Sequence, residues 1–324
     1  MEEVLQKTKS RKKPIGGGKK FIRIFKDPCW AFGVILRHLF SRMITNDRLY
    51  IKLEYFSGMK RLPDLKNPKT YNEKLQWLKL NDKHDEYTRL VDKYEAKEYV
   101  RNILGDDAII PTLGVWDKFE DIDFSKLPNQ FVLKTTHDSG GVVVVSDKNT
   151  MNMKAARRKL NKSLRHNFFY EHREYPYKNV KPRIIAEKFM VDESGTELKD
   201  YKFFCFDGEV KFLFVATDRP YDTRFDFFDT DFNHLPFRQG HPWATKEIKK
   251  PEGFDEMKRI ASILSKGFPH VRVDLYDING KIYFGELTFF HFSGNVPFEP
   301  DEWDYTIGEM LKLPHNNKES FNNE

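Results

Sequence analysis

Cysteine is nearly absent: Cys29 and Cys205 are the only two in 324 residues, far apart and in no metal-ligand spacing. That scarcity excludes a disulfide framework and a zinc site, and it fits a reducing cytoplasm. Long hydrophobic runs are missing as well. The longest apolar stretch, Cys29 to Ile44, is interrupted by Arg37, His38 and Arg42 and is too short for a comfortable membrane crossing. It has a basic front but no small-residue cleavage site, which argues against a secretory signal. The chain also has no internal repeat and no GxxxxGK[ST] phosphate loop.

What is present can fold. A hydrophobic content of 39% with 15% aromatics supports a sizeable core in one large or two medium domains. The net charge of +6 is concentrated at the front, where the first 45 residues hold 11 Lys and Arg against 3 acids. Lys7 to Lys20, with Gly16, Gly17 and Gly18, reads as a flexible tail, and Trp30 to Met43 as an amphipathic helix with Arg37 and Arg42 on its edge. Such an arm can rest on an anionic inner leaflet, touch nucleic acid, or be a solvated tail with a docking helix. Without interleaved stacking aromatics, no nucleic-acid partner is expected. The expected boundaries are 1–49 for the basic tail and helix, 50–314 for the folded region, and 315–324 for a disordered polar tail.

Local signals order the middle of the chain. Thr70 with Glu73, and Asp92 with Glu95, predict capped helices, the second ending at Gly105. Strands are predicted over 109–116, 131–134, 142–145, 184–190, 201–206 and 209–216, the last two joined by an Asp207-Gly208 turn. Residues 154–169 read as a basic helix, 255–266 as a helix capped by Gly267, and 218–243 as irregular. Lys134 precedes a loop, His137, Asp138, Ser139, Gly140, Gly141, whose glycines let backbone N–H groups approach a phosphate closely above a lysine charge. A plain Gly-Gly hairpin explains the same residues.

The sharpest chemistry lies in RVDLYDINGKIYFGELTF, a hairpin with Arg272 and Asp274 on one strand and Glu286 on the next. Carboxylates among apolar residues need a cation, either a side chain or a metal. A three-residue loop, Ile278, Asn279 and Gly280, with Gly280 left-handed, pairs Asp277 with Lys281 and turns Arg272, Asp274, Glu286 and Thr288 to one face. A two-residue Asn279-Gly280 turn places the two acids on opposite faces. The plainer alternative is an ion pair of Arg272 with one acid.

In order along the chain stand Asp92-Lys93, FVLKTTHDSGG, IIAEKFM, LKDYKFFCFDGE and the closing hairpin, preceded by NPKTYNEKLQWLKL and DKYEAKEYV. Together, from about Tyr50 to Pro314, these segments resemble the TupA-like branch of the ATP-grasp superfamily. The resemblance implies an α+β ATP-grasp fold whose two subdomains grip ATP and Mg²⁺, with 50–314 as the catalytic region. It implies a carboxylate–amine ligase that works through an acyl phosphate, with a carboxylate acceptor and an amine donor as partners, and an acceptor that is a carboxylated cell-surface polysaccharide or its precursor. Carried over by position, Lys93, Lys134 and Lys202 contact phosphates, and His137, Ser139, Gly140 and Gly141 close over them. Glu187 and Met190 lie at the adenine hinge. Asp274 and Glu286 hold the metal, and Arg272 with Lys134 stabilises charge on the transferring group. Thr288 stands where many ATP-grasp enzymes carry Asn, as a third ligand. A direct phosphotransferase keeps the same nucleotide site. A glycosyltransferase would instead use the Asp229-Thr230-Asp231 triplet, and a membrane adaptor with a dead nucleotide site would need neither.

Overall fold

The computed structural model describes residues 27–192, 198–218 and 222–314. The Lys7–Lys20 tail and the polar C-terminal tail lie outside them.

Two antiparallel sheets, each with its own core, make an α+β fold. The smaller has the order β1-β4-β2-β3, with β1 Thr112–Trp116, β2 Phe131–Thr135, β3 Val142–Val145 and β4 Ile184–Lys188. Alternation in FVLKT buries Phe131 and Leu133 against Leu160 of the helix Met153–Leu164. The larger sheet has the order β10-β9-β5-β6-β7, with β5 Asp200–Phe206, β6 Glu209–Thr217, β7 Arg224–Asp229, β9 Val271–Ile278 and β10 Lys281–Thr288. Phe203, Val273 and Leu275 pack one of its faces on the helix Phe254–Leu264. A two-stranded pair, β8 Arg238–Gln239 and β11 Phe298–Glu299, sits beside it.

The caps act as the sequence requires. Thr70 and Glu73 form a reciprocal capping box on the helix Tyr71–Asn81. Asp92 accepts from the N–H groups of Tyr94 and Glu95 at 2.8 and 2.9 Å ahead of the helix Glu95–Leu104, which stops at Gly105 with φ 85°. Asp207 and Gly208, both at positive φ, close the β5–β6 turn. The predicted basic helix breaks after Leu164 and resumes as Phe169–His172.

Two expectations need correction. Residues 224–229, expected to be irregular, form edge strand β7: the Phe225-Asp226-Phe227 alternation is too short to stand out among the flanking Asp-rich segments, and pairing with β6 satisfies its backbone. The β9–β10 hairpin has a two-residue turn in place of the three-residue loop: Ile278 pairs with Lys281, and Asn279 and Gly280 both have positive φ, 54° and 79°. That turn alone would separate the acids. A bulge at Gly285 shifts the register between Phe284 and Glu286, so that Glu286 faces Asp274 and Thr288 faces Arg272.

Gly285 is required by close approach. A Cβ there would lie 2.9 Å from the Asp274 carbonyl oxygen and 3.1 Å from the Tyr276 ring. Gly285→Val should therefore cost about 1–3 kcal/mol in stability and pull Glu286 away from Asp274. Thermal melts with and without Mg·ATP check this; a wild-type melting temperature with an undiminished ATP shift would show that the bulge tolerates a side chain.

Candidate active site

Register across three strands assembles the charged cluster. Lys202 on β5, Asp274 on β9 and Glu286 on β10 form one cross-strand row, with Phe204, Arg272 and Thr288 in the adjacent one. Arg272 grips Asp274 with a fork, Nε to Oδ1 at 2.7 Å and Nη2 to Oδ2 at 2.8 Å. Its Nη2 also donates to Thr288 Oγ1 at 3.0 Å and reaches Glu286 Oε1 at 3.4 Å. Lys202 pairs with Asp274 from the other side and stands 3.3 Å from Asp200. The fork orientation is set by His291: its Nδ1 accepts from Arg272 Nη1 at 2.7 Å, while Nε2–H donates to Gln239 at 3.0 Å. Burial beside Arg272 holds the His291 pKa far below its usual value, so the ring stays a neutral acceptor.

The two acids are unequal. Burial and the neighbouring Glu286 push Asp274 upward against Arg272 and Lys202. Burial also opposes the charge of Glu286, yet Lys202, Lys93 and Arg272 bring its pKa down to about 2. Glu286 is more open, its side chain 39% exposed against 1% for Asp274.

A second cluster lies on the smaller sheet. Glu187 is buried between Lys134, at 2.5 Å, and Lys97, whose Nζ also donates to the Ile110 carbonyl at 2.9 Å. Against burial, these two lysines hold Glu187 at a pKa of about 2. The Glu187 carboxylate is thus spent on lysines, and its backbone sits inside the sheet, in register with Thr112 on β1 and Val132 on β2. Met190 follows β4, half-buried. Lys97, four residues after Lys93 and inside the helix Glu95–Leu104, was missed in the sequence; the spacing in KYEAK was the available signal.

The glycine loop is tied down by Asp138. This carboxylate accepts from Thr135 Oγ1 at 2.5 Å, from the Gly141 N–H at 3.1 Å and from Ser163. Lys93 Nζ donates to the Asp138 carbonyl at 2.5 Å. His137 turns inward, its Nε2 within 3.1 and 3.0 Å of the Ser163 and His166 carbonyls, so it anchors the base of the loop. Ser139 and Gly140 are exposed.

Lys93, Asp138, Ser139, Arg272, Glu286 and Thr288 all open on one cavity of about 680 Å³, which Lys134, Glu187, Met190 and Lys202 do not line, nor do Asp274, His137, Gly140 and Gly141. The rest of its wall includes the aromatic Trp30, Phe168 and Tyr177, the acids Glu54 and Glu174, and the basic Arg37 and His172. His172 Nδ1 is bonded to Glu54, whose second oxygen has no hydrogen-bond partner among the described residues. Although burial opposes its charge, Glu54 raises the His172 pKa above its usual value. Glu174 accepts from Ser293 beside Lys79, which donates to the Ser293 carbonyl at 2.8 Å. Phe292 and Ser293 both hold positive φ, 48° and 54°, a strained loop on the cavity wall. No motif advertised this cluster, because its members come from four separate segments.

Asp229, by contrast, spends both oxygens on its own turn, accepting from the N–H groups of Asp231 and Asn233 and from the Asn233 amide at 2.8–2.9 Å. Among the described residues no cluster of three or more His, Cys, Asp or Glu is arranged to hold a metal. Asp274, Glu286 and Thr288 supply two carboxylates and a hydroxyl, a hard oxygen set of the kind Mg²⁺ uses when phosphates complete its shell.

Residues 73–312 match the model of the TupA-like ATPgrasp family, and the chain belongs to that family. It is therefore an ATP-grasp protein, with an ATP-binding α+β fold. Among solved structures it is similar to D-alanine–D-alanine ligase from Bacillus anthracis complexed with ATP, at 17% identity over 62% of this chain and 55% of that one, TM-score 0.36. The Helicobacter pylori D-alanine–D-alanine ligase gives 17% identity over 69% and 61%, TM-score 0.36. The ADP complex of N5-carboxyaminoimidazole ribonucleotide synthetase gives 14% over 67% and 50%, TM-score 0.39. The chain thus spans half to three-fifths of the length of these relatives. No curated protein matches it.

Proposed function

We propose that the protein is an ATP- and Mg²⁺-dependent carboxylate–amine ligase that joins an amino acid or amine to a carboxylated cell-surface polysaccharide or its precursor. One observation carries the reading: the glycine loop and Lys93 meet Arg272, Glu286 and Thr288 on the same cavity that aromatic and acidic side chains extend beyond them. A carboxylate seated there lies beside cations able to lower its repulsion from a phosphoryl group. Glu286 and Thr288, which line the cavity, would hold Mg²⁺, which supplies charge neutralisation on the phosphates when bound; Asp274, spent on Arg272 and Lys202, would join them only by giving up part of that pairing. Lys93 and Ser139, which line the cavity, bind the nucleotide; Lys134 and Lys202, paired with Glu187 and Asp274 outside that lining, reach its phosphates only by releasing those acids. Arg272, held by His291, stabilises charge on the reacting carboxyl. His172, oriented by Glu54, takes the proton an ammonium group must lose before it attacks. Aromatic faces such as Trp30 and Phe168, interspersed with carboxylates, suit a sugar ring.

Mass spectrometry of products from Mg·ATP, a panel of hexuronates, and either amino acids or hydroxylamine tests the reading. ADP with an amide or hydroxamate is expected. ADP with a phosphorylated acceptor and no hydroxamate would make it a phosphotransferase; nucleoside diphosphate released from a sugar nucleotide would make it a glycosyltransferase.

A further inference from the structure

A helix on a protein surface turns polar residues outward. The first described helix, Pro28–Ile35 with its π-helical continuation Leu36–Phe40, does the opposite. Its inner side serves the fold: Gly33 and Leu36 are buried, Trp30 and Arg37 line the cavity, and Arg37 pairs with Glu54 at 3.8 Å. Its outer side presents Phe32, Ile35 and Leu39, followed by Met43, at 37, 48, 65 and 71% exposure. These recur every three or four residues and so form one stripe. Leu49 and Phe56, on the neighbouring helix Asp47–Met59, add further exposed apolar surface. The helix expected to be amphipathic thus turns Arg37 inward and an apolar stripe outward.

An uncovered stripe of this kind marks an interaction surface, and the charges around it select the occupant. From Pro28 to Thr45 there is no acidic residue, and Arg42 is exposed beside the stripe, while Arg37 is turned inward to Glu54. The 26 residues before Asp27 hold nine Lys and Arg against two acids. Among the described residues no helix is long and apolar enough to cross a membrane. We propose that this face docks on an anionic lipid bilayer, the stripe seated at the acyl boundary and the cations at the headgroup phosphates. Docking would set the wall formed by Trp30 and Arg37 next to the membrane, so that the cavity faces substrates carried there. The surface acts independently of the chemistry inside the cavity.

Co-sedimentation of the full chain with vesicles of phosphatidylcholine, alone or mixed with phosphatidylglycerol, tests the proposal. The mixed vesicles should bind it, less tightly as salt rises. The double variant Leu39→Glu, Met43→Glu should bind at least about tenfold more weakly with an unchanged melting temperature, since both side chains are exposed. A wild-type chain that stays in the supernatant overturns the proposal. Equal binding by the double variant overturns it too, assigning attachment to the basic segment alone. Sedimentation velocity covers the remaining occupant: a dimer that the double variant abolishes, without vesicle binding, gives the face to a second copy.

Discussion

Glu286→Gln should lower Mg·ATP turnover by about 10²–10³-fold and leave the fold standing. A metal ligand at a phosphoryl group is worth several kcal/mol of transition-state charge stabilisation, and each 1.36 kcal/mol is about a factor of ten. The stability cost is small because the side chain is 39% exposed and its ion pair with Arg272 is long, 3.4 Å. Solvent screening keeps such a pair within about 1 kcal/mol. Asp274 differs, since it is the buried carboxylate in the Arg272 fork, and removing it would strand a guanidinium. Steady-state turnover beside a thermal melt separates the two effects. A Glu286→Gln protein that turns over at the wild-type rate would remove Glu286 from the metal.

The second large effect is on acid stability and is carried by His270. This ring is buried in the core, with Nε2 2.9 Å from the Tyr71 hydroxyl and Nδ1 3.0 Å from the Cys205 carbonyl. Burial and the nearby Arg272 depress its pKa from 6.5 to about 3. Below pH 6.5 the unfolded chain takes up a proton that the folded ring refuses. The stability contribution is therefore fully present above the unfolded pKa and falls as pH drops from 6.5 toward 3, by about 1.4 kcal/mol per pH unit. His291, depressed in the same direction, adds to the fall, while His172 and Glu174, with raised pKa values, act against it. Comparing His270→Asn with the parent isolates the ring. Urea unfolding at pH 7, 6 and 5 should give the variant the shallower pH dependence, by about 2 kcal/mol at pH 5. Parallel curves would mean that His270 titrates normally.

Much of the fold was legible because its signals are local. Period-two alternation marked β2, apolar runs marked β5 and β6, the Thr70–Glu73 box fixed a helix start, and Asp207-Gly208 fixed a turn. β7 was not legible, since its alternation is too short to stand out and its backbone is satisfied by its neighbour.

The candidate site divides along the same line. The residues and order of the charged hairpin, of Lys93, and of Lys134 before the glycine loop were determined by the sequence alone, together with the family that order resembles. Only the tertiary structure decided which charges meet. The Asn279-Gly280 turn and the Gly285 bulge each shift the side-chain parity by one residue, and the two shifts cancel, so Glu286 returns to the face of Asp274. Lys97 reaches Glu187, and Glu54 reaches His172, over separations of 90 and 118 residues. Such pairings come from how sheets and helices pack, and packing leaves no period in the chain for a sequence pattern to carry.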